Sequence, residues 1–320
     1  MAKFCSTEDF LYLNRNRIIM EPKHVNDSAR RQFNRILVPV DFTDYSENAC
    51  LFAIALASSL KAEVEVMHAY YTPEITSLPY DETFSFQGTL AEYLSENKER
   101  ARENLDAFIK RMKDYSRKVL KEPILIGSSL LRGLPAEAVL YMTENYKPDL
   151  IVVGTHSTDK RKESASSMVR IIQEVRIPVI VVPENCDYRD LNRIRHVGYA
   201  TDFDESDFFS MKKLIDLVSS IQPTISCVHV GQQPITEEEK ARMDGLKEYF
   251  HKIYPSYTLE CKLVEQKDVI EGLDAVIRDQ NIDLLSLTTR RRNLISKIIQ
   301  PSVTKKMFFQ TNIPMLVFHS

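Results

Sequence analysis

The sequence has 320 residues, of which 43% are hydrophobic and 27% are charged, and its formal net charge is −3. This length favours two domains of ordinary size. The near balance of 42 basic and 45 acidic residues argues against a dedicated nucleic-acid-binding protein. The five cysteines are widely spaced and form no C-x-x-C motif, so we expect neither a disulfide framework nor a metal site. The polar N-terminus and the absence of a long apolar stretch predict a cytoplasmic protein without a membrane span.

One α/β unit occurs twice along the chain. The apolar run RILVPVD ends at Asp41, and the run RHVGYATD ends at Asp202, 161 positions later. The strand that follows ends near His68 in the first repeat and near His229 in the second, again 161 positions apart. Two later landmarks recur in the same order at offsets of 134 and 136, namely Asp149 with Asp283 and Pro178 with Pro314. The sequence therefore predicts a tandem duplication.

Helices and strands alternate within each repeat. In the first repeat the hydrophobic periodicity predicts helices at about 46–60, 89–113, 135–146 and 164–175. The five intervening strands are rich in Val and Ile on both faces, which is typical of a parallel sheet covered on both sides. We therefore predict an α/β fold class, with two tandem, doubly wound, Rossmann-like domains that each contain a mainly parallel five-stranded sheet.

The domain boundaries follow from the repeat. We expect an N-terminal extension at residues 1–34, which has no sustained hydrophobic period and forms a partly ordered arm. The first domain is predicted at 35–184, a polar linker at 185–193 and the second domain at 194–320. A long loop at 72–88 either lies over a binding cleft or is plain surface.

The carboxyl ends of the strands are the expected ligand site. In an open parallel sheet, ligands bind beyond these ends, where the strand order reverses. In the first repeat the residues at these ends are Asp41, Phe42, Thr43, His68, Gly154, His156 and Ser157. In the second repeat they include Asp202, His229, Arg290 and Arg291.

The histidines at the strand ends admit two interpretations. His68 and His229 either face the cleft and contact a base or a phosphate, or they are core residues bonded to neighbouring backbone groups. His156 lies in the expected ligand loop, but the sequence places no Asp or Glu to complete a catalytic triad with these histidines. The chain contains no G-x-S-x-G motif, no P-loop and no H-E-x-x-H motif, so we predict no catalytic residues.

The first repeat resembles a universal stress protein domain over nearly its whole length. The resemblance is carried by the segments ILVPVDFTDYSENA, RGLPAEAVL, PDLIVVGTHS and SSMVRIIQEVRIPVIVVPE. The second repeat resembles the family more weakly, through PSVTKKMFFQTNIPMLVF, and the whole resemblance covers roughly residues 33–320. It implies a fold related to the adenine nucleotide α-hydrolases. In family members that bind ATP, it also implies a glycine signature of the form G-x2-G-x9-G-[ST].

The first repeat departs from this signature. Gly154 fills the first place, but Ser157 takes the second. Ala165 replaces the last glycine, with only seven residues between it and Ser157. Ser166 then fills the hydroxyl position, and Ser167 lies beside it. Since a Cβ hinders the close approach of backbone N–H groups to phosphates, the standard phosphate site is impaired.

The second repeat departs further. Thr288 replaces the first glycine and Arg291 the second, while Pro301 and Ser302 stand at the final pair. The side chains of Arg290 and Arg291 either hold an anion or belong to a solvated basic loop.

These observations lead to two functional hypotheses. We expect a non-catalytic binding or regulatory module of the stress response, with degenerate nucleotide loops. The alternative is an ATP-binding stress protein with at most slow hydrolysis, because Asp41 is retained at the position that contacts the nucleoside in the family. The only expected cofactor is ATP or another adenine nucleotide, and the expected small-molecule partner is nucleotide-like. An adenylating ligase is disfavoured, because FTDYSE follows Val40 where that class shows an S-G-G-x-D-S-like loop.

The last strands suggest how the repeats assemble. Continuous apolar edge strands need cover, and in the family such strands often pair across a dimer interface. We expect Val179–Val182 and Met315–Phe318 to pair within one chain as a pseudo-dimer, and we consider a further homodimer of two chains.

Overall fold

The structure is a computed structural model. It describes residues 12–14, 17–19, 33–71, 83–156, 162–186, 191–231, 234–289 and 311–320. In the predicted N-terminal extension, β1 (Tyr12–Asn14) and β2 (Arg17–Ile19) pair as an antiparallel hairpin. The predicted loop up to residue 82 lies outside the described residues.

The first repeat has the predicted alternation of strands and helices. Its elements are β3 (Arg35–Pro39), α1 (Asp44–Leu60), β4 (Glu63–Tyr70), α2 (Thr83–Val119), β5 (Ile126–Arg132), α3 (Pro135–Asn145), β6 (Leu150–Thr155), α4 (Lys162–Glu174) and β7 (Val179–Pro183). Helix α2 is longer than predicted, so the end of the predicted loop at 72–88 is helical. The predicted loop ended at Gly88, but one glycine in a helix costs only about 1 kcal/mol and does not end it.

The second repeat follows the same plan. Its elements are β8 (His196–Ala200), α5 (Glu205–Leu217), β9 (Thr224–Gly231), α6 (Glu237–Ile253), β10 (Leu259–Glu265), α7 (Val269–Asp279), β11 (Leu284–Thr289) and β12 (Met315–His319). A 3-10 turn at Leu191–Arg193 lies in the predicted linker. The exact domain boundaries remain a prediction.

The strands of both repeats form one continuous sheet of ten strands. The order is β10-β9-β8-β11-β12-β7-β6-β3-β4-β5, so each repeat places its first strand in the middle of five. Within each repeat every pairing is parallel. The repeats are joined where β12 pairs antiparallel with β7. The predicted α/β fold of tandem, mainly parallel five-stranded sheets is confirmed, and the two sheets are fused at their last strands.

Equivalent residues of the two repeats meet at this junction. Ile180 and Leu316 occupy the same place in their strands and are paired in register. On the helical layer above, the hydroxyls of Ser59 and Ser220 share a hydrogen bond, and these residues are 161 positions apart. A local twofold axis therefore relates the repeats, because a residue meets its own equivalent only on such an axis.

Helices cover the sheet on both faces. Helices α1, α2, α5 and α6 contribute to one hydrophobic core cluster, while α3, α4 and α7 contribute to the cluster on the opposite face. The first cluster is continuous across the junction, where Phe52 and Leu56 of α1 line the same small cavity as Leu217 at the end of α5 and Val218 after it. Among the described residues, no helix combines the length and the apolar character that crossing a membrane requires.

Two repeated aspartates have a folding role. The Asp149 carboxylate accepts hydrogen bonds from the two backbone N–H groups at the start of β3, at 2.9 and 3.0 Å. The Asp283 carboxylate accepts the equivalent pair at the start of β8, at 2.7 and 3.0 Å. These bonds satisfy backbone donors at the amino edge of the sheet, away from the predicted ligand cleft.

Gly154 allows helix α1 to approach strand β6 closely. A Cβ atom on Gly154 would lie 2.3 Å from the carbonyl oxygen of Tyr45 and 3.0 Å from the backbone nitrogen of Ser46. Any side chain at this position would therefore displace the first turn of α1. Packing of the fold alone is a sufficient reason for the glycine.

The first prediction concerns this contact. Gly154→Ala should lower the free energy of unfolding by roughly 1–3 kcal/mol, because the new methyl group overlaps backbone atoms. Gly245→Ala is the matched control, since Gly245 lies in α6 with open space where its Cβ would be. That control should raise stability by about 1 kcal/mol. Urea unfolding monitored by circular dichroism measures both changes, and a Gly154→Ala variant as stable as the native chain would contradict the packing role.

The second prediction concerns the junction. Leu316→Ala should cost about 2–5 kcal/mol, because Leu316 is fully buried at the centre of the joined sheet. Hydrogen exchange should speed up in strands of both repeats, including β6 and β11, because the junction belongs to both. Leu125→Ala serves as the control, since Leu125 is 68% exposed and its loss should change stability by less than about 0.5 kcal/mol. Native protection of β6 in Leu316→Ala would show that the repeats unfold independently.

Candidate functional site

The candidate site of the first repeat lies where the strand order reverses. Strand β3 lies between β4 and β6, and the connections to these two strands run over opposite faces of the sheet. We call the region at the carboxyl ends of β3, β4 and β6 the first cleft. Its residues are Asp41, Phe42, Thr43, Tyr45, His68, His156 and Glu184. The equivalent region at the ends of β8, β9 and β11 is the second cleft.

Asp41 is held as an exposed carboxylate at the entrance of α1. Its Oδ1 accepts hydrogen bonds from the backbone N–H of Thr43, at 3.2 Å, and from the Thr43 hydroxyl. Its Oδ2 accepts a hydrogen bond from the Tyr45 hydroxyl at 2.6 Å. Desolvation of the carboxylate works to raise its pKa, but the bonds from Thr43, Tyr45 and Ser46 outweigh this effect. The pKa of Asp41 is therefore below its ordinary value, and the group is ionised at neutral pH.

Two residues of the first cleft were missed by the sequence analysis. Tyr45 bonds Asp41 through its hydroxyl, and its ring stacks on His156 with centroids 6.2 Å apart. His156 Nδ1 contacts the Glu184 carboxylate, an acid that the sequence alone did not place beside it. Glu184 follows β7, and Thr155 of β6 pairs with the last residue of β7, so the parallel register brings the acid alongside. If β6 and β7 are assumed to be neighbours, their parallel register predicts that Glu184 lies beside His156.

The two strand-end histidines adopt the same arrangement. Phe42 and Phe203 both have left-handed backbones, with φ of 63° and 62°. Each ring packs on the histidine of its repeat, His68 or His229, at a centroid distance of 4.3 Å. Each histidine Nδ1 bonds the carbonyl oxygen of the residue after the first strand, at 2.8 Å for His68 and 2.9 Å for His229. The repeat therefore preserves a complete phenylalanine–histidine unit.

The second histidine is closed off by helix α6. His229 is 3% exposed, and its Nε2 lies 3.3 Å from Oε1 of Glu239. Glu239 also accepts bonds from the backbone N–H and hydroxyl of Thr236 at 2.7 and 2.8 Å, as part of the capping box that begins α6. His68 is half-buried, and its Nε2 has no hydrogen-bond partner among the described residues. The pKa of His68 is lowered by burial, against the opposing effects of the Val40 carbonyl and Asp41.

A buried polar network lies at the base of the second cleft. Asp207, at the place of Ser46, accepts hydrogen bonds from the hydroxyls of Thr201 at 2.6 Å and Tyr199 at 2.9 Å. The Tyr199 hydroxyl lies a further 2.9 Å from that of Thr288, which stands at the place of Gly154. These four network residues are at most 2% exposed. Burial raises the pKa of Asp207 to about 6, because desolvation exceeds the effect of its hydrogen bonds.

The remaining predicted residues divide into three groups. Asp202 is half-buried, and its backbone N–H donates to Asp207 at 3.3 Å. Ser166 and Ser167 lie on α4, where Ser167 is half-buried. The residues that lie outside the described part of the chain are Ser157, Arg290, Arg291 and Ser302.

Comparison with known proteins identifies the first repeat. The family model described as "Universal stress protein family" matches residues 32–183. A universal stress protein from Methanocaldococcus jannaschii is 28% identical over 152 residues, which is 47% of this chain and 82% of that protein.

Solved structures extend the comparison to both repeats. A universal stress protein from Archaeoglobus fulgidus is 15% identical, with a TM-score of 0.68, and the match covers 90% of this chain and 99% of that one. A protein described as a "Putative Universal Stress Protein" from Pseudomonas aeruginosa is 11% identical, with a TM-score of 0.55, covering 90% and 93%. At these identities the likeness shows the fold. The resemblance read from the sequence is confirmed for the first repeat, since residues 32–183 match the universal stress protein family.

Proposed function

We propose that this protein is a non-catalytic, ligand-binding member of the stress protein family, with one nucleoside site per chain in the first cleft. The observation that carries the proposal is the contrast between the clefts. The first presents an exposed, ionised Asp41 and a half-buried His68, whereas in the second Asp202 is half-buried and His229 is buried against Glu239. The second repeat then serves mainly to complete the sheet.

Asp41 suits the hydroxyl groups of a ribose. An ionised carboxylate offers about four acceptor positions, and Thr43 and Tyr45 use three of them. Because Asp41 is exposed, a ligand hydroxyl can approach its carboxylate and donate a hydrogen bond to it. Hydrogen bonds to a charged group contribute about 1.5–3 kcal/mol, which is enough to anchor a small ligand.

The first cleft offers less support for binding the phosphate groups of a nucleotide. Gly154 is accounted for by the backbone of α1, which lies within 3.0 Å of where a Cβ would be. Its presence is therefore weak support for phosphate binding. Adenine nucleotides remain the ligand class that the family resemblance favours, and the nucleoside part supplies most of the recognition in this proposal.

The joined sheet supports a second part of the proposal. Because β7 and β12 cover each other within one chain, we propose that the chain is a complete pseudo-dimer. The strands that would pair between two chains are already used. Further association of two chains would need another surface.

The third prediction tests the site with two matched variants. Asp41→Asn should weaken adenosine binding about 10-fold or more, because it removes a charge-assisted acceptor. Asp202→Asn alters the equivalent residue of the second cleft and should change the affinity for adenosine by less than about twofold. Isothermal titration with adenosine, AMP and ATP should give one site per chain, with ATP no more than about tenfold tighter than adenosine.

Three outcomes would count against the proposal. Two equivalent sites per chain would show that the second cleft is open to ligand. Unchanged binding by Asp41→Asn would place the site elsewhere. Steady release of phosphate from ATP that is lost in Asp41→Asn would favour the ATP-hydrolysing alternative.

A further inference from the structure

We infer that His68 selects the base of the bound nucleoside, by accepting a hydrogen bond at Nε2 from an amino group on the ring. A base with an exocyclic amino group, such as adenine, is thereby preferred over a purine that lacks it. This inference rests on the proposed nucleoside site and adds a specificity-determining residue to it.

The hydrogen bond to Val40 fixes which nitrogen of His68 carries the proton. A backbone carbonyl only accepts, so the 2.8 Å contact requires that Nδ1–H donates to the Val40 oxygen. In the neutral ring, Nε2 then carries a lone pair and acts as an acceptor. Burial lowers the pKa of His68, which keeps the ring neutral at pH 7. A neutral acceptor favours an amino group and disfavours a phosphate or a carbonyl oxygen.

The orientation of the ring is fixed by its neighbours. Phe42 adopts a left-handed backbone, which is rare for a residue with a Cβ atom, and its ring packs on His68. Phe108 of α2 packs behind Phe42 with ring centroids 5.8 Å apart. Since Nδ1–H points toward the Val40 carbonyl, Nε2, on the other side of Cε1, points away from that carbonyl. His68 is partly exposed and its ring is held by these contacts, so Nε2 is an acceptor in a set position, as specific recognition requires.

The second repeat shows the same unit with its Nε2 already occupied. His229 has the same phenylalanine contact and the same backbone bond, yet Glu239 of α6 lies 3.3 Å from its Nε2. In the first repeat no described residue takes that place. Within the phenylalanine–histidine unit, the repeats therefore differ at Nε2, the atom that a ligand would meet.

Asp41 and His68 together define a ligand with two kinds of donor. The two side chains lie at the ends of neighbouring strands, β3 and β4, and the charge of Asp41 affects the pKa of His68. Hydroxyl donors suit the carboxylate, and an aromatic amino donor suits the neutral imidazole. A site built to accept a hydrogen bond discriminates against an analogue that lacks the donor.

The fourth prediction uses two nucleosides that differ by one amino group. The native chain should bind adenosine about 3- to 10-fold more tightly than purine riboside, which is the effect of one neutral hydrogen bond. His68→Phe keeps an aromatic ring against Phe42 but removes Nε2, so the two nucleosides should bind equally. His229→Phe removes the equivalent ring nitrogens in the second cleft. It should keep the native ratio of the affinities for adenosine and purine riboside. Isothermal titration measures the affinities, and circular dichroism melts verify that each variant is folded.

The outcomes distinguish a failure of the role of His68 from a failure of the proposed nucleoside site. If the native chain binds both nucleosides with equal affinity, the role of His68 is refuted while the nucleoside site stands, and this test needs no variant. A native preference that survives in His68→Phe, or disappears in His229→Phe, would also overturn the inference. If neither nucleoside binds the native chain, the proposed function fails as well.

Discussion

The antiparallel pairing of β7 with β12 is the constraint on which the rest of the structure depends. Each repeat alone would end its sheet in an apolar edge strand, rich in Val and Ile in β7 and in Leu and Val in β12. The backbone N–H and C=O groups along the outer edge of that strand would be unpaired. Such an edge pairs readily with another chain. In this molecule each final strand covers the other, and Ile180 and Leu316 at the centre are at most 1% exposed. The hydrophobic layer of α1 and α5 continues across the same line, so the repeats share one core.

On this common frame the two clefts have diverged. The phenylalanine–histidine unit is unchanged to within 0.1 Å in its backbone hydrogen bond. The difference lies in the residues around it. Ser46 and Gly154 leave room for a close helix in the first repeat, whereas Asp207 and Thr288 join Tyr199 in a buried network in the second. In a symmetric dimer of identical chains both clefts would have to change together, and a tandem chain is free of that requirement.

The sequence was sufficient for the fold because burial and chain periodicity are directly linked. Apolar runs such as those ending at Asp41 and Asp202 mark strands buried on both faces, and the fixed offset between them identifies the repeat. The predicted start of α2 came too late because the loop was extended to Gly88, although a helix tolerates a single glycine.

The details of the site were harder to predict, because they depend on register between distant segments. Glu184 meets His156 only because β6 and β7 are neighbours with Thr155 near the end of the pair. Likewise, the contrast between His68 and His229 depends on where α6 begins. Glu239 lies ten residues beyond His229, and the sequence of the strand itself carries no sign of it. Strand patterns report which residues are buried, while contacts of this kind require knowledge of which elements are adjacent.

The fusion of the sheets has a consequence for how the protein responds to dilution. When a dimer interface supports a binding site, dissociation at low protein concentration weakens the site, and occupancy then depends on the amount of protein as well as on the ligand. Here the covering strand is tethered to the same chain, so it is present at a constant effective concentration. The shape of the first cleft, and hence its ligand affinity, should therefore stay the same whether the protein is scarce or abundant in its surroundings.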